Sequence, residues 1–168
     1  MTDPRFGEGL LRAVQKLPAG SGVVFRHYAL DASARAALFA KVRRICARRG
    51  HILLCAGDAQ NRPVDGMHGE VTRQGLVTSG IRSVPVHNVQ EIKAAVRAGA
   101  DMLFLSPLHA TRSHPDARPL GPYTFRRLAE LAYPTPVIAL GGMSRARAAM
   151  IPQHIAYGWA AIDAFMLA

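Results

Sequence analysis

Short runs that are apolar at every position, not at every second one, recur along this chain. Val23-Val24-Phe25, Ile52-Leu53-Leu54-Cys55, Met102 to Leu105 and Val137-Ile-Ala-Leu140 are the clearest. A strand that is apolar on both faces must be covered on both. That requirement selects a parallel sheet flanked by helices over a sheet with one wet face. The segments between the runs supply the helices. Ser33 is placed to cap a helix through Arg49, with Leu38, Phe39, Val42 and Ile45 on one face and Gly50 as its stop. Asn88-Val-Gln-Glu91 reads as a capping box for a helix through Ala98, and Pro122 suits the first turn of a helix through Ala132. Ser144 caps a short helix before Pro152.

Seven strands are predicted after residue 20, and Met1-Thr2-Asp3 reads as the clipped end of an eighth. An open doubly wound sheet usually needs fewer. Eight suits a (β/α)₈ TIM barrel, although such barrels typically run to about 250 residues and rarely below about 200. At 168 residues this is one compact α/β domain, 1–168, with helices shortened or missing. The stretch 58–82 carries no helical pattern, and nothing after Phe165 is long enough for a final helix.

Composition narrows the partners. Lys and Arg total 21 against 11 Asp and Glu, a formal charge of +10. Such a surplus suits nucleic acid or a small phosphorylated ligand. The arginines fall in helix pairs (Arg43-Arg44, Arg48-Arg49, Arg126-Arg127) or singly in loops, and no aromatic residue interleaves with them. That dispersal argues against a nucleic-acid partner and for solvated helix faces. The two cysteines, Cys46 and Cys55, make neither a disulfide framework nor a zinc spacing. No apolar run is long enough for a membrane span, and the first residues lack a signal-peptide layout, so the expected location is the cytoplasm.

In a parallel barrel the chemistry sits at the C-terminal ends of the strands. Four of the seven histidines, His27, His68, His87 and His109, follow strands and are expected to gather on that rim. Arg26, directly ending a buried strand, needs an anionic partner. That partner is either a ligand or a structural ion pair, for instance with Asp58. Gly141-Gly142 before a capped helix offers backbone N–H groups to a phosphate, or else marks a tight turn that needs glycine for its dihedrals. Thr111-Arg112-Ser113-His114, in the longest loop, presents two hydroxyls, a guanidinium and an imidazole to an anion. Asp58 and Glu70 are the rim carboxylates before Asp163 and the only candidate pair for magnesium.

Asp65-Gly-Met-His-Gly69, His87-Asn-Val-Gln-Glu91, Ala98-Gly-Ala-Asp101, Ser106-Pro-Leu-His-Ala-Thr111 and Val137 to Met143 together resemble the thiamine phosphate synthase/TenI (thiazole tautomerase) superfamily of small barrels. The resemblance covers nearly the whole chain. It implies a reaction that joins a pyrimidine methyl pyrophosphate to a thiazole phosphate and releases pyrophosphate, with Mg²⁺ as cofactor. It also implies cytoplasmic small-molecule metabolism and allows a homodimer. By the same resemblance Arg26, Thr111 and Ser113 contact pyrophosphate, and Gly141, Gly142 and His68 help hold substrate. His114 stands where the family has a lysine and is expected to act catalytically in its place, donating to the leaving group. His87 and His109 are the acid/base candidates of a tautomerase-like branch. The family's metal aspartates have no direct match, leaving Asp58 and Glu70 as stand-ins. Val24, Tyr28, Pro85 and Asp163 also depart from the family pattern. Asp163, where the family has a phosphate-holding serine, would repel an anion unless an arginine pairs with it. A non-catalytic barrel that binds a phosphorylated ligand is the remaining alternative.

Overall fold

A computed structural model of the chain describes residues 1–57, 63–71, 80–113 and 115–166. A 3₁₀ segment, Pro4–Gly9, leads into α1, Leu10–Lys16. There follow β1 Gly22–Phe25, α2 Ala32–Arg49, β2 Ile52–Ala56, β3 Gly66–His68 and β4 Ile81–Val86. Next come α3 Val89–Arg97, β5 Met102–Leu105, α4 Gly121–Ala132, β6 Val137–Ala139, α5 Arg145–Ala149 and β7 Gly158–Trp159. A short 3₁₀ turn, Asp163–Phe165, is the last described element. The expected lack of a helix in 58–82 falls partly outside the described residues.

The seven strands form one sheet in sequence order, and every neighbouring pair is parallel. The sheet is curled. Inward-facing Val24, Leu54, Ala56, Phe104 and Ile138 meet in one cluster although they come from β1, β2, β5 and β6. The first two residues hydrogen-bond to β1 and to the segment after β7. The Met1 amine donates to the Ala161 carbonyl at 2.9 Å, and the Thr2 N–H donates to the Val24 carbonyl at 2.9 Å.

The two-faced strands have a direct structural reason. Alternate residues leave the inner cluster and feed an outer layer. Val23, Phe25, Leu53 and Cys55 pack with Phe39, Val42 and Cys46 of α2 and with Leu10 and Val14 of α1. Val84, Val86, Leu103, Leu105 and Ala139 pack with Ile92 of α3 and Phe125 and Leu128 of α4. Each such aliphatic side chain contributes about 1.5–3 kcal/mol when fully removed from water. Both cysteines are buried free thiols, and burial pushes that of Cys46 up to about 11.

One cap differs from expectation. The N-cap of α2 is Asp31, whose carboxylate accepts from the N–H groups of Ser33 and Ala34, each at 2.9 Å. A carboxylate that satisfies two orphan donors outcompetes a single hydroxyl, so the helix begins one residue before Ser33. Gly50 closes the helix in the left-handed region, φ 64°. Asn88, Pro122 and Ser144 sit as expected at the starts of α3, α4 and α5. The paired arginines of α2 and α4 are exposed. Among the described residues no helix is long and apolar enough to cross a membrane.

Candidate functional site

The C-terminal ends of the strands open into one cavity of about 1340 Å³. Its wall includes Arg26 after β1, His68 at the end of β3, Ser83 and Pro85 of β4, and His87 just beyond. Ser106, Pro107, Thr111 and Ser113 follow β5, Leu140 to Met143 follow β6, and Ala161 to Asp163 follow β7.

His68 is buried and lies edge-on to Phe104, with ring centroids 4.8 Å apart. Its Nδ1 is 3.0 Å from Ser83 Oγ, and Ser83 Oγ donates to the Met67 carbonyl at 3.1 Å. Ser83 has one proton, and the carbonyl takes it. The His68 Nδ1–H must therefore be the donor to Ser83, which leaves Nε2 as an acceptor. Burial, then the positive charges of Arg26 and the Met1 amine, lowers the His68 pKa to about 4. The imidazole is neutral at physiological pH.

Arg26 is placed by the turn that follows β1. Its N–H donates to Thr2 Oγ1 at 2.9 Å, and Thr2 Oγ1 is 3.0 Å from His27 Nδ1. His27 adopts φ 29° and stacks on Phe25 at 5.3 Å. Consecutive residues thus leave the strand on opposite sides, with Arg26 at the cavity and His27 packed away from it. The Arg26 guanidinium lies 5.9 Å from the Tyr28 ring centroid. Among the described residues no carboxylate is in ion-pair contact with Arg26.

Two of the four histidines expected on the rim reach the cavity wall, His68 and His87. His87 is exposed and tied to α3. Its backbone N–H donates to Glu91 Oε2 at 2.7 Å, and its Nδ1 is 2.9 Å from the same oxygen. Burial raises the Glu91 pKa, but hydrogen bonds from His87 and Asn88 more than offset this and hold it low. His27 and His109 lie off the wall. Burial first, then Arg147, lowers the His109 pKa.

Gly141 and Gly142 have φ of 95° and 59°. A side chain on Gly141 would meet Pro107 Cα at 2.6 Å, and one on Gly142 would meet the Ala110 carbonyl at 2.4 Å. The loop after β5 is laid directly on this turn, with the His109 N–H donating to the Gly141 carbonyl at 3.1 Å. Arg147 holds the Gly142 carbonyl from α5. The glycines are thus required by both dihedral and close approach, and they also form part of the cavity wall.

Glu70 is exposed at the cavity wall. Asp58 and His114 lie outside the described residues. Among the described residues no three His, Cys, Asp or Glu side chains come together as a metal-binding group.

Two arginines escaped sequence reasoning. Arg35 of α2 is buried, donates to the Ala56 carbonyl at 2.8 Å and lies 5.3 Å from the Phe25 ring centroid. Arg5 donates to Asp3 Oδ1 at 2.8 Å, to Asp163 Oδ1 at 2.9 Å and to Ser113 Oγ at 2.7 Å. Arg112 donates to the other Asp163 oxygen at 3.0 Å. Asp163 therefore has the arginine partners that an anion site would demand of it. The Asp3-x-Arg5 spacing was a local signal for the first of these contacts. Nothing in the sequence marks a partner 158 residues away.

The model of the family described as thiamine monophosphate synthase matches residues 2–165. A thiamine-phosphate synthase of Geobacillus kaustophilus is 34% identical over 146 residues, covering 81% of this chain and 66% of the relative. A bifunctional thiamine biosynthesis protein ThiM/ThiE of Symbiobacterium thermophilum is 33% identical over 163 residues, covering 89% of this chain and 34% of the relative. A thiamine phosphate pyrophosphorylase structure from Pyrococcus furiosus superposes with a TM-score of 0.78 at 19% identity, covering 95% of this chain and 81% of that one. The chain spans about two thirds or less of the curated relatives it matches. With the curled parallel sheet, the strand-end cavity and a family match over nearly its whole length, this chain belongs to the thiamine monophosphate synthase/TenI family.

Proposed function

We propose that the cavity joins a pyrimidine methyl pyrophosphate to a thiazole phosphate. The observation that carries this reading is Arg26: a guanidinium on the cavity wall with no carboxylate in ion-pair contact among the described residues, sharing that wall with Thr111, Ser113, Gly141 and Gly142. In the reaction the bond between the pyrimidine methylene carbon and the pyrophosphate oxygen breaks, and the electron pair leaves with pyrophosphate. The methylene cation is captured by the thiazole nitrogen lone pair. No proton is gained or lost at the reacting atoms.

Arg26, Thr111 and Ser113 stabilise the charge that grows on the leaving group, where preformed donors act most strongly. Backbone N–H groups of the Gly141-Gly142 turn receive the thiazole phosphate. His68 stays neutral and offers Nε2 to an N–H of the bound heterocycle. A second cation there would oppose the methylene cation, so its lowered pKa suits the chemistry.

Magnesium commonly uses one or two carboxylates together with substrate phosphates. Glu70 fits one such position, and bound metal would supply further charge stabilisation on pyrophosphate. Closure of the curl into a full barrel is part of the same reading. Met1 and Thr2 bridge both ends of the sheet, as an eighth strand would.

The test is release of pyrophosphate by the purified chain when both substrates are present, with and without magnesium. Arg26→Ala is expected to lower the rate by at least about 100-fold, the loss of a charged donor made strongest in the transition state. An unchanged rate would contradict the assignment. One observation favours a second reading. His87 Nδ1 rests on Glu91 while its ring lines the cavity, an arrangement suited to a general base. A thiazole tautomerase of this kind would turn over without pyrophosphate or magnesium and would lose activity in His87→Gln.

A further inference from the structure

The proposal that follows rests on the phosphate-handling reading of the cavity. Three distant segments meet at its mouth: the Pro4–Gly9 turn, the loop after β5 and the turn after β7. Arg5 is the residue common to all the contacts. Its guanidinium engages Asp3 within its own turn, Asp163 at the far end of the chain and Ser113 in the long loop. Individually, half-exposed ion pairs of this kind are weak. What matters here is their geometry and sign.

Ser113 Oγ accepts from Arg5 Nη2 at 2.7 Å, so its single proton is left for another acceptor. Ser113 lines the cavity, so that proton is available to an oxygen of an anionic ligand there. Asp163 also lines the cavity. Asp3 and Asp163 carry two negative charges, and Arg5 and Arg112 carry two positive ones. Without Arg5, Asp163 keeps only Arg112 as an ion-pair partner among the described residues, and Asp3 keeps none, at the place where an anion must enter.

We infer that Arg5 is a positioning residue for the pyrophosphate group: it turns Ser113 into a donor toward the cavity and, with Arg112, offsets the charge of Asp163. The arrangement also explains how this chain tolerates a carboxylate in a phosphate-handling mouth. The inference extends the site to a residue whose link to it is made only by the fold.

The test is calorimetric binding of inorganic pyrophosphate to the whole chain, with and without magnesium. Arg5→Gln is expected to weaken binding about tenfold, the scale of one charge-assisted hydrogen bond. Adding Asp163→Asn to that variant is expected to recover about threefold or more, because a carboxylate that has lost one of its two arginine partners is then gone. A role confined to holding the fold together would not be rescued by a second deletion. Asp163→Asn alone, which leaves Arg5 on Ser113, is expected to tighten binding. It carries the test if Arg5→Gln loses native circular dichroism. Unchanged affinity in Arg5→Gln, absence of rescue, or weaker binding by Asp163→Asn alone would each overturn the inference. Arg26→Ala separates this from the wider reading. If wild-type protein binds no pyrophosphate, or Arg26→Ala binds as wild type does, the phosphate site itself fails and the role of Arg5 fails with it.

Discussion

At the residue scale the candidate site is a neutral imidazole within the field of a guanidinium that has no carboxylate in ion-pair contact among the described residues. His68 illustrates how burial sets protonation. Its pKa falls from the ordinary 6.5 to about 4. The unfolded chain therefore binds more protons than the folded one between those values, and stability falls as pH drops through that window. A shift of this size corresponds to a penalty on the order of 3 kcal/mol, complete below about pH 4. His27, His51 and His109 are lowered too, so they add in the same direction. His68→Gln should flatten, without abolishing, the fall in urea midpoint between pH 6.5 and 4. An unaltered pH profile would show that His68 is not held neutral. Gly141 is the other informative residue. With φ 95° and Pro107 Cα 2.6 Å from where a side chain would begin, Gly141→Ala should cost at least about 2 kcal/mol in a denaturant titration.

At the scale of elements, caps fix where helices start, and through them where site residues stand. The Asn88 side chain accepts from the Glu91 N–H at 2.9 Å, and the Glu91 carboxylate reaches back to His87. Asn88→Ala should lower stability by about 1 kcal/mol, read from the thermal midpoint. It should also loosen His87 at the cavity wall. Most elements were legible because their signals are local. Strands apolar on both faces, the Asn88 capping box, Gly50 and Pro122 all act within a few residues. The start of α2 was misread because Ser33 and Asp31 are both good caps, and only the second has a carboxylate that spans two N–H groups. Which of the four strand-end histidines line the cavity was not legible for a related reason. The positive φ at His27 and the close approach of the His109 loop to Gly142 are features of those turns that have no periodic signature.

At the scale of the molecule, parallel order and curl bring the strand ends to one cavity, so residues as far apart as Arg26 and Gly142 share a wall. Their place on one cavity wall followed from fold class once strand ends were identified. The clamp of Arg5, Asp163 and Ser113 did not, because contacts over 108 and 158 residues depend on the curl of the whole sheet. Exposure of the arginine-rich helix faces agrees with a charge surplus that is dispersed. The most direct measurement is formation of thiamine phosphate from the pyrimidine pyrophosphate and thiazole phosphate by the purified chain. The expected result is product at a rate that collapses in Arg26→Ala while the thermal midpoint stays within a degree or two. Folded protein that binds both substrates and makes no thiamine phosphate would contradict the synthase reading.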